Sequence, residues 1–223
     1  PVDAGPGPWQ QSTYFKASNA EVADGFGTAT ALSADGQWLV VGAPNEDSNA
    51  SGIDGSQTDN SMSSAGAVYV FRKNAGVWVQ QAYLKASNPD TNDQFGNAVA
   101  VSGDGSVIAV GAWNEASTAT GVNGDQFKNN LTNAGAVYVF ERTGQTWAQT
   151  AYVKAHNTVA DGASGDRFGE TVAISTDGRT MAVGAESEDS ANGGVNADDS
   201  AGVRRSKVMF NSLNAVPPPP MTG

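Results

Sequence analysis

A short run of residues is written three times along this chain, and that repetition constrains the fold more than any composition figure. Phe26-Gly27, Phe95-Gly96 and Phe168-Gly169 each open a copy. Each copy passes through an Asp-Gly pair (Asp35-Gly36, Asp104-Gly105, Asp177-Gly178) to a Val-Gly-Ala ending at Ala43, Ala112 and Ala185. Trp9, Trp78 and Trp147 are spaced 69 residues apart, and so are Lys16, Lys85 and Lys154. The heptapeptide Ala65-Gly-Ala-Val-Tyr-Val-Phe71 recurs letter for letter at 134–140. Markers that keep one phase over this distance define a tandem array, in which each unit buries its apolar face against its neighbours.

Within one unit the pattern predicts strands. Residues 28–33 and 38–41 flank Asp35-Gly36, a pair suited to the two positive-φ positions of a type I′ hairpin turn. A second hairpin runs from Ala67 to Phe71, turns through 73–76 and returns over 77–85; residues 136–140 and 146–154 repeat it. Trp78 and Tyr83 are five apart, an odd number, so they are expected to point to opposite faces and both faces to be covered. Four short strands per unit with both faces buried suit a propeller blade better than an open sandwich. The 69-residue step exceeds the ~40 to 50 residues of common propeller repeats. The excess falls in one loop, 24 positions from Gly42 to Gly66 and again from Gly111 to Gly135. The small Gly-Ala at the end of the return strand would let sheets approach where blades converge.

The order Phe-Gly, then Val41-Gly42-Ala43-Pro44, then Gly-Ala-Val-Tyr-Val-Phe resembles the FG-GAP repeat over about residues 9–202. That repeat builds the seven-bladed β-propeller of integrin α chains and of many bacterial surface and secreted proteins. The resemblance implies a propeller, an extracellular or cell-surface setting (an exported bacterial protein) and a binding role. Calcium-binding members carry Asp-x-Asp/Asn-x-Asp-Gly in the first hairpin. Here Ser33-Ala-Asp35-Gly36, Ser102-Gly-Asp104-Gly105 and Ser175-Thr-Asp177-Gly178 keep only the final Asp-Gly, which puts calcium at that place in doubt.

The expected organisation follows from the phase. Residues 1–8 are a Pro/Gly-rich lead-in and 9–16 match the outgoing strand of a preceding blade. Units span 26–85 and 95–154, and a third, incomplete one spans 168–202 after an insertion within 158–164. Three units are too few to close a ring of 4 to 8 blades, so the expected architecture is all-β, a partial, about three-blade propeller from a longer protein. Residues 203–223 break the pattern: Arg204, Arg205 and Lys207 stand where other copies place strand residues, and 217–220 are four prolines. They read either as a linker or as a misread frame, and in both cases as a disordered tail without the outer hairpin of the last blade.

Composition narrows the partners. A formal net charge of −11 and a pI near 4.3 oppose nucleic-acid binding, which rests on phosphate neutralisation by Lys and Arg. The absence of Cys removes disulfide and thiol chemistry, and the single histidine, His156, removes multi-histidine zinc sites and all but a lone-histidine triad. No stretch reaches the ~18 apolar residues of a membrane helix, so no membrane insertion is expected of this segment.

The long loops, 45–60, 114–130 and 187–199, are the candidate sites, since equivalent loops of successive blades share one rim. They are acidic and oxygen-rich, as Ca²⁺ requires with its 6 to 8 hard ligands. Glu46, Asp47, Asp54 and Asp59 could supply ligands in the first loop, Glu115 and Asp125 in the second, and Glu188, Asp189, Asp198 and Asp199 in the third. Neither EF-hand nor Gly-Gly-x-Gly-x-Asp spacing is present, and the competing reading is a solvated acidic loop. Asp24, Asp93 and Asp166, two residues before each Phe-Gly, read as turn or cap residues. Trp9, Trp78 and Trp147, with Tyr14, Tyr83 and Tyr152, read as packing aromatics. Trp113 falls outside the repeat rule and is a candidate exposed contact. Asn49 and Asn130 lie in glycosylation sequons. The expected function is a non-enzymatic binding or adhesion scaffold, with a protein or glycan ligand at the rim and further blades of the parent chain as neighbours. The alternatives are a fragment of a polysaccharide-active propeller using a carboxylate pair, or a structural spacer.

Overall fold

The computed structural model describes residues 10–158 and 165–188 and the backbone of 207–212. Every regular element among them is a strand. The first sheet is β1 (Ala29–Leu32), β2 (Trp38–Ala43), β3 (Ala67–Asn74) and β4 (Val77–Leu84), antiparallel in chain order. The second repeats it as β5 (Ala98–Val101), β6 (Val107–Ala112), β7 (Ala136–Thr143) and β8 (Thr146–Val153). The third contains β9 (Phe168–Ile174), β10 (Thr180–Ala185) and β11 (Lys207–Ser212). β1, β5 and β9 neighbour one another from sheet to sheet, as innermost strands do around a propeller axis. The protein is a partial β-propeller.

The strands form where β-branched and aromatic residues concentrate. In β3 and β7 the run Ala-Val-Tyr-Val-Phe is buried on both faces, as expected of a sheet sandwiched between others. One face of the first two blades shares a core of Val40, Val68, Val70, Leu84, Ile108, Val110 and the Phe95, Tyr138 and Phe140 rings. Each such side chain contributes roughly 1.5–3 kcal/mol by leaving water.

The repeated glycines mark where blades touch. A Cβ on Gly42 would lie 1.9 Å from the Gly96 carbonyl oxygen, and one on Gly111 would lie 2.0 Å from that of Gly169. Gly66 and Phe95 form a parallel bridge between blades, with the Phe95 N–H donating to the Ala65 carbonyl at 3.1 Å. The Phe-Gly pair is therefore the docking edge of each blade. Its ring packs on its own blade, Phe95 edge-on to Tyr138 at 5.3 Å and Phe26 to Tyr69 at 5.4 Å.

Three sequence expectations change. Only Gly36 of the Asp35-Gly36 pair has positive φ, so this is not a type I′ turn. The Gly36 N–H donates to the Ser33 carbonyl, and Asp35 instead accepts from the Ser33 hydroxyl and the Gln37 N–H. Two adjacent positive-φ residues occur at Ala75-Gly76, where Asn74 pairs with Val77. Secondly, Trp78 and Tyr83 share a face. The β3–β4 register passes from Val70↔Ala82 to Phe71↔Gln80, so Gln81 is an extra, bulged residue that resets the alternation. Thr150 is bulged in the same way between Ala151 and Gln149. Thirdly, part of the tail expected to be disordered is a strand: β11 pairs with β10 along its length, Gly184 opposite Val208 as Gly42 is opposite Val68. It supplies the first strand of the hairpin expected to be missing. Residues 203–206 and 213–223, including Arg204, Arg205 and the prolines, lie outside the described residues.

Candidate functional site

The loop that lengthens each repeat is folded back along the outermost strand. In the first blade the Lys85 N–H donates to the Gly52 carbonyl at 2.7 Å and the Asp54 N–H to the Tyr83 carbonyl at 2.8 Å. The second blade repeats both, Lys154 to Gly121 at 2.8 Å and Asn123 to Tyr152 at 2.7 Å. The C-terminal end of each of these two edge strands is thus covered, which protects backbone groups that would otherwise template aggregation.

At the root of each loop stands a buried glutamate. Glu46, 1 % exposed, accepts from the Lys85 ammonium at 2.9 Å, the Tyr83 hydroxyl at 2.7 Å and the Asn19 amide at 3.0 Å. Glu115, equally buried, accepts from Lys154 at 2.7 Å, Tyr152 at 2.9 Å and Asn88 at 3.3 Å. The asparagine closes the circuit: Asn88 also donates to the Gln126 carbonyl and accepts from Tyr138, while Asn19 does the same with Gln57 and Tyr69. In the third blade Glu188, fully buried, accepts from Asn157 at 3.0 Å. Each asparagine lies on the segment entering the blade, so the cluster clasps strand, loop and connector together. A charge pair this deep is retained only with its remaining lone pairs satisfied, and here they are.

The electrostatics follow. Burial, reinforced by the neighbouring glutamate, pushes the Tyr69, Tyr83, Tyr138 and Tyr152 phenols far up, so they stay donors. Desolvation depresses the Lys85 and Lys154 ammonium groups, and the glutamate partner opposes that shift. Asp93, buried beside Glu115, is pushed up to about 8, chiefly by loss of water and then by the Glu115 charge. Asp24 moves the same way. Asp93 and Asp24 each accept from a backbone N–H three residues earlier, Asp90 and Glu21 respectively. The exposed Asp35, Asp104 and Asp177 carboxyls are lowered by hydrogen bonds from neighbouring serines.

The proposed calcium ligands are therefore distributed as follows. Glu46, Glu115 and Glu188 point inward, and the first two are committed to lysine. Asp47 accepts from the Ser64 N–H at 2.7 Å. Asp54 accepts from the Tyr83 N–H at 2.9 Å, a task that Asn123 performs uncharged in the second blade. Asp59 accepts from Ser61, and Asp125 from the Phe127 N–H, with Lys128 at 3.6 Å from its other oxygen. Among the described residues no three acidic or histidine side chains gather around one point. Asp189, Asp198 and Asp199 lie outside the described residues, as does Trp9.

Other candidates are placed as well. Trp113 is not a free contact, since it is half-buried under the Arg167 guanidinium at 4.8 Å. Trp147 packs edge-on to Trp38 of the preceding blade at 6.0 Å, and Trp78 packs on Phe15 at 5.6 Å. Tyr83 and Tyr152 are buried, whereas Tyr14 is 74 % exposed. His156 is exposed. The three lysines served only as phase markers in the sequence, and Asn19, Asn88 and Asn157 were missed. The signal was available: Glu46 and Glu115 keep the 69-residue step of the lysines, and most other loop acids do not.

The FG-GAP repeat profile matches residues 78–140 and 147–201, more than half of the chain. The chain belongs to the FG-GAP repeat family. No curated protein matches it. Among solved structures, Kuenenia stuttgartiensis hydrazine synthase aligns at 16 % identity with a TM-score of 0.34, over 78 % of this chain. This chain spans 32 % of that one, and so loose a likeness carries no argument here. No helix among the described residues is long and apolar enough to cross a membrane.

Proposed function

We propose that this FG-GAP segment is a non-catalytic binding scaffold of a secreted or cell-surface protein, engaging a protein or glycan through its rim loops. The supporting observation is the buried Glu–Lys–Tyr–Asn clasp under each of the first two loops. It uses up the loop carboxylates best placed for chemistry. It also anchors a 24-position loop at its root, so that the outer surface is presented in a defined shape without ordering on contact. A rival glycosidase reading needs two free carboxyls facing one bond about 5–9.5 Å apart, and Glu46 and Glu115, each salt-bridged and buried in a different blade, do not offer them. Ca²⁺ plays no part in this reading. The test passes polysaccharides and extracellular proteins over the immobilised chain while reducing ends are assayed. Retention without release of new reducing ends is expected; turnover on any glycan overturns the reading.

A further inference from the structure

The repeat itself separates architecture from function at one place on the rim. Between the second loop and β8 lies a cleft of about 440 Å³, within the ~300–1,000 Å³ typical of ligand sites. Ser87, Gln126 and Gln149 form its polar wall: the Gln149 amide donates to the Ser87 hydroxyl at 2.9 Å, which donates to the Gln126 amide oxygen at 2.8 Å. The first blade carries the same three residues at the equivalent positions, Ser18, Gln57 and Gln80. Asn123 takes over the strand contact that Asp54 makes in the first blade, and beyond it two lining positions depart from the repeat: Asp125 replaces Ser56 and Phe127 replaces Thr58. The departures are not explained by packing, because Phe127 is 72 % exposed and Asp125 is exposed too. A large aromatic held in water, beside a carboxylate and a row of amides, is the kind of feature binding selects for.

The geometry points to this cleft as a subsite for a neutral saccharide, with Phe127 stacking on the apolar face of a sugar ring and Asp125, Asn123 and Gln126 bonding its hydroxyls. Hydroxyl groups both donate and accept, as amides do, and the Asp125 carboxylate accepts from two neighbouring hydroxyls at once. A net charge of −11 with a carboxylate on the lip disfavours an acidic sugar. An apolar peptide would desolvate the Asp125 carboxylate and leave the Gln149 amide oxygen, which has no hydrogen-bond partner, unpaired.

The assignment rests on the binding reading above, and the experiment separates the two. The chain is passed over immobilised β-glucan, mannan, galactan and xylan, beside Phe127→Thr and Asp125→Ser, each of which installs the residue the first blade already carries. Retention of the unmodified chain on at least one of these is expected, weakened at least about tenfold by Phe127→Thr and measurably by Asp125→Ser, with thermal melting unchanged. Glycan retention that neither substitution alters leaves the scaffold intact and sinks the cleft. Retention on proteins alone also sinks it, in favour of a protein-docking rim. Retention by nothing overturns both readings.

Discussion

Lys85 and Glu46 show how one residue can be plain in a sequence while its purpose is not. A lysine at a fixed step invites the reading of a surface marker, because lysine is almost never fully buried unless paired. Here it is fully buried, and its partner lies on a loop 39 residues earlier. Removing one member of such a pair leaves a charge stranded in a dry interior, at a cost of about 3–5 kcal/mol. Lys85→Met is therefore expected to lower stability by about that amount in urea titration, and Glu46→Leu added to it to restore much of the loss. A loss below ~1 kcal/mol for the single variant would show that the pair is solvated. Asp93 offers a second test, in pH. Its carboxyl titrates near 8 in the folded chain against an ordinary 3.8, so folding favours its neutral form. The resulting stabilisation is complete below about pH 4, fades as pH rises from 4 to 8 and is absent above. Glu115 and Asp90 oppose its ionisation and Lys154 favours it. Asp93→Asn cannot ionise and keeps the acceptor for the Asp90 N–H. Between pH 5 and 8 the variant should gain on the unmodified protein, measured as the gap between their urea midpoints. A gap that stays constant would place the Asp93 titration at its ordinary value.

At the scale of the strand and the turn, spacing read the number and order of strands well, because alternation and glycine punctuation act locally. It failed where one residue is added. Gln81 and Thr150 carry no mark of a bulge, yet each moves a tryptophan to the other face of its strand. The same limit explains the turn at Asp35-Gly36: an Asp-Gly pair permits a type I′ turn, but the Ser33 side chain competes by bonding Asp35 and the Trp38 N–H. Glycine identity was legible; the reason for each glycine was not. Gly66 and Gly76 have nearly the same positive φ, 83° and 85°. An alanine at Gly76 would meet nothing within 4 Å, whereas one at Gly66 would meet the Phe95 carbonyl oxygen of the next blade at 2.1 Å. Gly76→Ala should cost only the left-handed strain, about 1–2 kcal/mol. Gly66→Ala should cost roughly 1–3 kcal/mol more, since the blades must part to admit the methyl. Equal losses in calorimetry would mean that the Phe-Gly edge does not set the spacing of the blades.

Across the whole molecule the sequence announced a stack of like sheets, and the three sheets obey one rule of docking, with Phe-Gly of each blade seated on the glycines of the one before. What it concealed is that the acids of the rim serve two purposes. Some lie inside and clasp loop, strand and connector together, and the rest stand at the surface of a chain whose net charge is −11. The distinction decides how the protein should respond to calcium. A site with a Kd of about 10 μM would add about 2.7 kcal/mol at 1 mM Ca²⁺. At roughly 2–4 °C per kcal/mol for a chain of this size, melting would rise by some 5–11 °C. Such a site would have to draw on carboxylates that are not already engaged, yet Glu46 and Glu115 hold lysines, and Asp47 and Asp54 hold backbone N–H groups. Opening a clasp to free a glutamate would forfeit the buried pair, offsetting most of what the ion contributed. Melting in 1 mM Ca²⁺ and in chelator should therefore agree to within about 2 °C, the residue of weak screening of surface charge. A rise of 5 °C or more would mean that the rim carboxylates are assembled for a cation, and that the clasps exist to hold that assembly in place.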